Sequence, residues 1–256
     1  MDKKLVFFDI DGTLYDDEKT VPYATEKAIE TLKERGHEVA IATGRAPFMF
    51  ESLRQAFDID TYVSFNGSYV VVAGEVVLAR SLQQEALAAL HEAASDDQHV
   101  MVFMDHEGAI TDVENHSRIA QCLGELNMDY PPISLKRPEG DIYQALLFTE
   151  ENEPFSYDHY RDFNFVRWHK FSVDVLPAGG SKAKGVQKAA DILDVDIQDT
   201  LAFGDALNDI EMLELVGTGV AMGNALAATK AAADFTTAAV DEEGIAKGLK
   251  KLGLLS

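Results

Sequence analysis

The chain has 256 residues, with 44 acidic against 22 basic side chains, and its formal charge of −22 opposes binding to nucleic acid or an anionic membrane surface. An apolar content of 46% is enough to build a core for one large domain or two unequal ones. The lone Cys122 cannot close an internal disulfide, the apolar run behind Lys4 stops at Asp9, and no later segment could span a bilayer, so a cytoplasmic protein is expected.

Leu5–Phe8 reads as a strand buried on both faces. It runs into Asp9-Ile10-Asp11-Gly12-Thr13, where two acids spaced by two point to one side of an extended chain and Gly12 lets the backbone turn away. The carboxyl end of a buried strand is where an open α/β sheet places its ligand, and like charges that close call for a divalent cation. Pro22–Arg35 carries Ala24, Ala28, Ile29 and Leu32 at helical spacing, with Gly36 as the stop. Val39–Ile41 is a second strand, ending in Thr43-Gly44-Arg45 before a helix over Pro47–Phe57. Strand, helix, strand, helix implies parallel pairing. Tyr62–Phe65 forms a third strand closed by Asn66-Gly67, and Tyr69–Val72 with Glu75–Ala79 forms a hairpin around Ala73-Gly74.

From about Leu82 the rhythm changes. A helix over Gln83–Ala94, strands at Val100–Met104 and Ala109–Thr111, and a helix over Glu114–Leu126 lead to a proline-rich loop at Pro131–Asp141. A strand at Tyr143–Phe148, a short helix near Pro154–Tyr160 and strands at Phe163–Trp168 and Phe171–Leu176 come next. This order predicts a mixed domain with an antiparallel sheet, residues 82–178, inserted into a core made of residues 1–81 and 179–256. Beyond the Pro177–Gly180 hinge, Ser181 is placed to cap a helix over Lys182–Leu193. The strand Leu201–Phe203 ends in Gly204-Asp205, with Asn208-Asp209 at the mouth of the next helix. Short strands at Thr218–Met222 and Phe235–Thr237, an alanine-rich helix at Ala225–Ala233 and a helix over Glu242–Leu252 complete the core.

Asp9, Asp11, Thr43, Lys182, Asp205 and Asp209 all fall where strands end or helices begin, positions that share one edge of a parallel sheet. Carboxylates there make a hard oxygen site suited to Mg²⁺, and a lysine, a threonine and free backbone amides suit phosphate oxygens. A carboxylate can attack phosphorus and split one displacement into two. Asp9 must be ionised for that attack. Asp11, beside another carboxylate, is expected to have its proton affinity raised, which suits a general acid and then a base. General acid–base help supplies roughly 10²–10⁴-fold where phosphate-monoester hydrolysis can require on the order of 10²¹-fold, so electrostatics must carry most of the acceleration.

The set DIDGT at Asp9–Thr13, TGR at Thr43–Arg45, Ser181-Lys182 and GDALND at Gly204–Asp209 resembles the four motifs of the haloacid dehalogenase superfamily. Asn66-Gly67 and AMGNA at Ala221–Ala225 look like its Cof-type phosphatases, and the inserted segment matches their large α/β cap in position and order. The resemblance implies an α/β fold: a Rossmann-like parallel-sheet core with an inserted mixed α+β cap domain that sets substrate specificity. It implies Asp9 as nucleophile and Mg²⁺ ligand, and Asp11 as acid/base that binds the metal through its backbone carbonyl. Thr43 and Lys182 would hold the phosphoryl group, Asp205 would complete the metal sphere supported by Asp209, and Asn208 would lie near the phosphate. Gly44 and Arg45 are further candidates on the substrate side, with Gly12, Gly44 and Asn66 shaping the loops. Many relatives have glycine directly after the lysine, whereas here Ala183-Lys184-Gly185 follows, so Lys184 competes with Lys182. The serine before Lys182 and its distance from Pro177 favour Lys182. The implied activity is a Mg²⁺-dependent phosphatase with a mobile cap, acting on a small phosphorylated metabolite such as a sugar phosphate, a nucleotide or flavin mononucleotide. A monomer or weak dimer with no nucleic-acid or membrane partner is expected. A phosphomutase using the same nucleophile and a non-catalytic phospho-ligand sensor are the alternatives.

Overall fold

The computed structural model describes residues 3–134 and 140–255. They divide into two compact units, one of residues up to 45, 51–78 and from 181 onward, the other of residues 46–50 and 79–180. In chain order, β1 (Leu5–Phe8) leads to α1 (Tyr23–Glu34), β2 (Glu38–Ala42), a 3₁₀ turn at Pro47–Phe50, α2 (Glu51–Phe57), β3 (Tyr62–Ser64), β4 (Tyr69–Val72) and β5 (Glu75–Ala79). Then come α3 (Gln84–Asp96), β6 (Val100–Met104), β7 (Ala109–Thr111), α4 (Ser117–Gly124), β8 (Gln144–Phe148), β9 (Phe163–His169) and β10 (Ser172–Pro177). The first unit resumes with α5 (Lys182–Ile192), β11 (Thr200–Gly204), α6 (Ile210–Leu215), β12 (Thr218–Ala221), α7 (Ala227–Ala232), β13 (Phe235–Thr236) and α8 (Gly244–Lys251).

The first unit holds an eight-stranded sheet in the order β13-β12-β11-β1-β2-β3-β4-β5. Strands β13 to β3 run parallel, and β4 returns antiparallel to β3. The unbroken apolar run of β1 has the expected cause: Leu5, Val6, Phe7 and Phe8 are all fully buried. Leu5 and Phe7 pack with Ala40, Ala202 and the α5 and α6 residues Val186, Ala189 and Met212. Phe8 stacks on Phe203 with ring centroids 5.2 Å apart, and α8 crosses the Phe203 ring so closely that a Cβ on Gly248 would lie 2.8 Å from it. Helices thus cover both faces, and burying each phenylalanine contributes roughly 1.5–3 kcal/mol.

The second unit is built on an antiparallel sheet of five strands, order β7-β6-β8-β10-β9. One face carries Met101, Phe103, Ala145, Leu147 and Val175, packed with Leu87, Leu90 and Ala94 of α3. Strand alternation puts Val102, Leu146 and Asp174, which stand in one row, on the other face. The expected helix near Pro154–Tyr160 is absent. Tyr157 is instead anchored by its hydroxyl, which donates to Asp97 Oδ2 (3.0 Å) and lies 2.7 Å from His99 Nδ1, so the segment follows the end of α3 rather than coiling on itself. Of the loop expected at Pro131–Asp141, residues 135–139 lie outside the described residues. Among the described residues no helix is long and apolar enough to cross a membrane.

Candidate active site

Strands β1 and β11 are neighbours from which the chain departs in opposite directions, to β2 on one side and β12 on the other. A crevice opens at the carboxyl ends of such a pair. Registers Phe8↔Phe203 and Phe8↔Ile41 bring the residues just beyond β1, β11 and β2 to one edge: Asp9, Asp205 and Thr43. Asp9 is fixed there by its backbone N–H, which donates to Phe203 O at 3.0 Å. Gly12 has φ +77°, and a Cβ on it would lie 2.3 Å from Asp205 Oδ2, so both the turn and the close approach require glycine. The Thr13 hydroxyl donates to Asp205 Oδ1 at 3.1 Å.

Lys182 opens α5 and is 1% exposed. Its Nζ donates to Asp9 Oδ1 and Asp209 Oδ1, each at 2.7 Å. Asp209 Oδ2 accepts the backbone N–H groups of Asp205 (3.0 Å) and Ala206 (2.9 Å). Carboxylate oxygens of Asp9, Asp205 and Asp209 lie within 4.8 Å of one another. Burial raises the Asp9 pKa well above the ordinary carboxylate value; Lys182 opposes this, while the Asp209 and Asp205 charges add to it. Asp205 is raised to about 6, chiefly by burial and then by Asp209. Burial alone would lower the Lys182 ammonium, but Asp209 and Asp9 outweigh it and hold the amine protonated.

Three acids facing one lysine leave negative charge uncompensated, and this donor set fits a hard divalent cation. Among the described residues Asp9 Oδ2 and Asp205 Oδ2 accept no hydrogen bond, so both are available to it, whereas both oxygens of Asp209 are already engaged.

Asp11 departs from expectation. Its carboxylate stands outside the acid cluster, accepting from Arg45 Nε (2.7 Å) and Nη2 (2.8 Å) and from Lys19 Nζ (2.8 Å). Burial alone would raise its pKa, but the hydrogen bonds and charges of Arg45 and Lys19 hold it down at about 2. The expected rise in proton affinity is therefore reversed, because its closest charged neighbours are cations. Arg45 is 7% exposed and spends its guanidinium on Asp11 rather than standing free for a ligand. Lys19 was not legible in the sequence. It reaches Asp11 because Asp16 Oδ1 accepts from the backbone of Glu18 and Thr20, folding a turn that leaves Lys19 at φ 59°. An aspartate followed four residues later by threonine was the local signal.

Thr43 is buried, and its Oγ1 accepts the N–H of Arg45 at 3.1 Å, leaving its own proton to donate. The backbone N–H groups of Asp11 and Gly44 take no partner among the described residues. Asn208 Nδ2 donates to Asn66 Oδ1 at 2.9 Å, while Asn208 Oδ1 is buried without a partner. Ser181 occupies the N-cap of α5 but its side chain makes no capping bond, contrary to expectation; its carbonyl accepts from Gly185 and its hydroxyl is buried unpaired. Between the two candidate lysines the geometry is plain, since Lys182 reaches the acids and Lys184 is exposed. Cys122 is fully buried and burial pushes its thiol up to about 11.

A family model for haloacid dehalogenase-like hydrolases matches residues 6–249. Over 256 residues the chain is 45% identical to YkrA of Bacillus subtilis (strain 168), with 100% of both chains covered. It is 32% identical over 265 residues to YitU of the same strain, named a 5-amino-6-(5-phospho-D-ribitylamino)uracil phosphatase, covering 96% of each. Among solved structures it is similar to BT4131, named a sugar phosphatase of HAD subclass IIB, with a TM-score of 0.87 and 30% identity over 99% of this chain and 100% of that one.

Proposed function

Because this chain belongs to the haloacid dehalogenase-like hydrolases, among their Cof-type phosphatases, we propose that it hydrolyses small phosphate monoesters with Mg²⁺ through a phosphorylated Asp9. The observation that carries this reading is the buried Lys182 ammonium held between Asp9 and Asp209, with Asp205 beside them, at the point where the sheet order reverses. Asp9, Asp205 and the Asp11 carbonyl, with Asp209 in support, would hold Mg²⁺, which would supply positive charge to keep Asp9 ionised and to draw electron density from the phosphoryl oxygens.

The Asp9 carboxylate attacks phosphorus, the bond to the ester oxygen breaks, and Asp11 delivers a proton to that oxygen. Lys182, the Thr43 hydroxyl, the N–H groups of Asp11 and Gly44 and the Asn208 carboxamide are assigned to the three equatorial oxygens, where charge develops. In the second step Asp11 takes a proton from water, the water oxygen bonds to phosphorus, and the acyl–phosphate bond to Asp9 breaks. As the carboxylate paired with Arg45 and Lys19 it is ready for this base role; delivering a proton in the first step requires those pairs to part and the carboxylate first to take up a proton from solvent.

YitU is named for a phosphoribityl substrate and BT4131 for sugar phosphates, both phosphate esters of polyhydroxylated chains. That supports phosphate esters of polyhydroxylated chains, a class that takes in sugar phosphates and the phosphoribityl chain of flavin mononucleotide, with selectivity assigned to the inserted residues 82–178. With Mg²⁺, purified protein is expected to release phosphate from p-nitrophenyl phosphate, and Asp9→Asn to abolish release. Activity surviving that substitution removes Asp9 as nucleophile. A screen of phosphorylated metabolites by kcat/KM then ranks the leaving groups.

A further inference from the structure

Between β3 and β4 three consecutive residues, Phe65, Asn66 and Gly67, have φ of 48°, 51° and 92°. L side chains rarely adopt this conformation, and here all three are buried. The contacts of the turn account for its shape. The Asn66 N–H donates to Thr43 O at 3.1 Å, and the Phe65 N–H to Arg45 O at 3.2 Å. The Asn66 side chain lies against Gly44, where an added Cβ would be 3.0 Å from Asn66 Nδ2, and it bonds Asn208. Gly67 backs onto the start of α5, where a Cβ on it would meet Ser181 O at 2.0 Å. One left-handed turn therefore fixes the loop of Thr43 and Gly44, the start of the Lys182 helix and the side chain of Asn208.

The Asn66–Asn208 pair carries an unmet need. Asn208 commits its Nδ2 to Asn66 and leaves Oδ1 buried with no donor. A phosphoryl oxygen needs donors, so an acceptor at that place is the wrong end of the amide. Turning both carboxamides over repairs this without moving the backbone. Asn66 Nδ2 then donates to Asn208 Oδ1, and the Asn208 N–H groups take the place of the orphaned oxygen. We propose that Asn66 is a positioning residue that holds the Asn208 carboxamide with its N–H toward the phosphoryl group. This rests on the proposed assignment of Asn208 to the phosphoryl oxygens.

The test measures binding of inorganic phosphate by calorimetry, with Mg²⁺ present, so that it does not depend on turnover. Asn66→Gly removes the carboxamide while leaving a residue at ease in the left-handed region, and is expected to fold with an unchanged melting temperature. Hydrogen bonds to charged groups translate into a weakening of roughly 10- to 100-fold in Asn208→Ala, and the same range in Asn66→Gly. In the double variant the Asn66→Gly change should cost nothing further. Wild-type affinity in either single variant, or equal losses from Asn66→Gly with and without Asn208, overturns the proposal. A protein that binds phosphate in this pattern yet hydrolyses no ester refutes the phosphatase reading and leaves the role of Asn66 standing. Normal hydrolysis with intact phosphate binding in Asn66→Gly does the reverse.

Discussion

Replacing Asp174 by asparagine isolates a buried proton in the second unit. Asp174 is 7% exposed, and its Oδ1 accepts from Gln144 Nε2 at 2.8 Å. Burial pushes its carboxyl up to about 8, with the Gln144 hydrogen bond acting in the opposite sense. In an unfolded chain the same group loses its proton near pH ~3.9. The folded state thus holds the proton more tightly, and the stability this confers is complete below about pH 4 and is lost as the pH climbs towards 8, at about 1.4 kcal/mol per pH unit. Between pH 5 and pH 8 the loss comes to about 4 kcal/mol. The substitution Asp174→Asn supplies a neutral group of the same shape that still offers Gln144 an oxygen, so it removes the titration while keeping the contact. The stability of the variant relative to wild type should therefore rise by about 4 kcal/mol from pH 5 to pH 8. Urea unfolding followed by tryptophan fluorescence measures this, because the single tryptophan, Trp168, lies on β9, the partner strand of β10 that carries Asp174. A difference that stays flat within about 1 kcal/mol across that range refutes a proton held on Asp174.

Lys182→Met leaves Asp9 and Asp209 buried with no cation between them; it should lose all ester hydrolysis and about 3–5 kcal/mol of stability. Thermal unfolding should show saturating Mg²⁺ restoring part of that loss, and a melting temperature equal to wild type without metal would refute the pairing. Gly12→Ala forces a Cβ into Asp205 at a positive φ, so kcat/KM on a generic ester should fall at least ~100-fold while the far-ultraviolet spectrum stays native. Cys122, fully buried with its thiol raised to about 11, should resist a thiol-reactive disulfide reagent at pH 8 and react at once in urea; rapid native labelling would contradict its burial.

The residues that were legible in the sequence are those whose meaning is local. An apolar run ending in acid announces both β1–Asp9 and β11–Asp205 because burial on both faces suppresses alternation, and the chain has only one edge at which such strands can end together. The Ala73-Gly74 hairpin falls in the same class, since both residues have positive φ, at 50° and 81°. The features that stayed hidden depend on partners distant in the chain. The charge state of Asp11 is set by Arg45, 34 positions away, and no spacing rule shows a guanidinium turned back onto the acid. Phe65 at φ 48° runs against propensity. Such a conformation costs of order 1–3 kcal/mol, and it persists because Thr43, Arg45 and α5 hold the turn from outside. The helix expected at Pro154–Tyr160 is missing for a similar reason: its local pattern suits a helical turn, but Tyr157 finds Asp97 and His99.

The neighbours of β1 set a timetable for synthesis. Leu5 pairs with Glu38 on one side and with Thr200 on the other. At ~5–20 residues per second, on the order of 10–40 s separate the emergence of Leu5 from that of its second partner. Throughout that interval Phe7 and Phe8 lack β11 on one side, while the strands of the second unit, all within residues 100–177, have all been made before β11 emerges. Asp9 is made among the first residues and meets Lys182 and Asp205 among the last, so a nascent chain stalled before β11 has no assembled acid cluster with which to act on any phosphate ester.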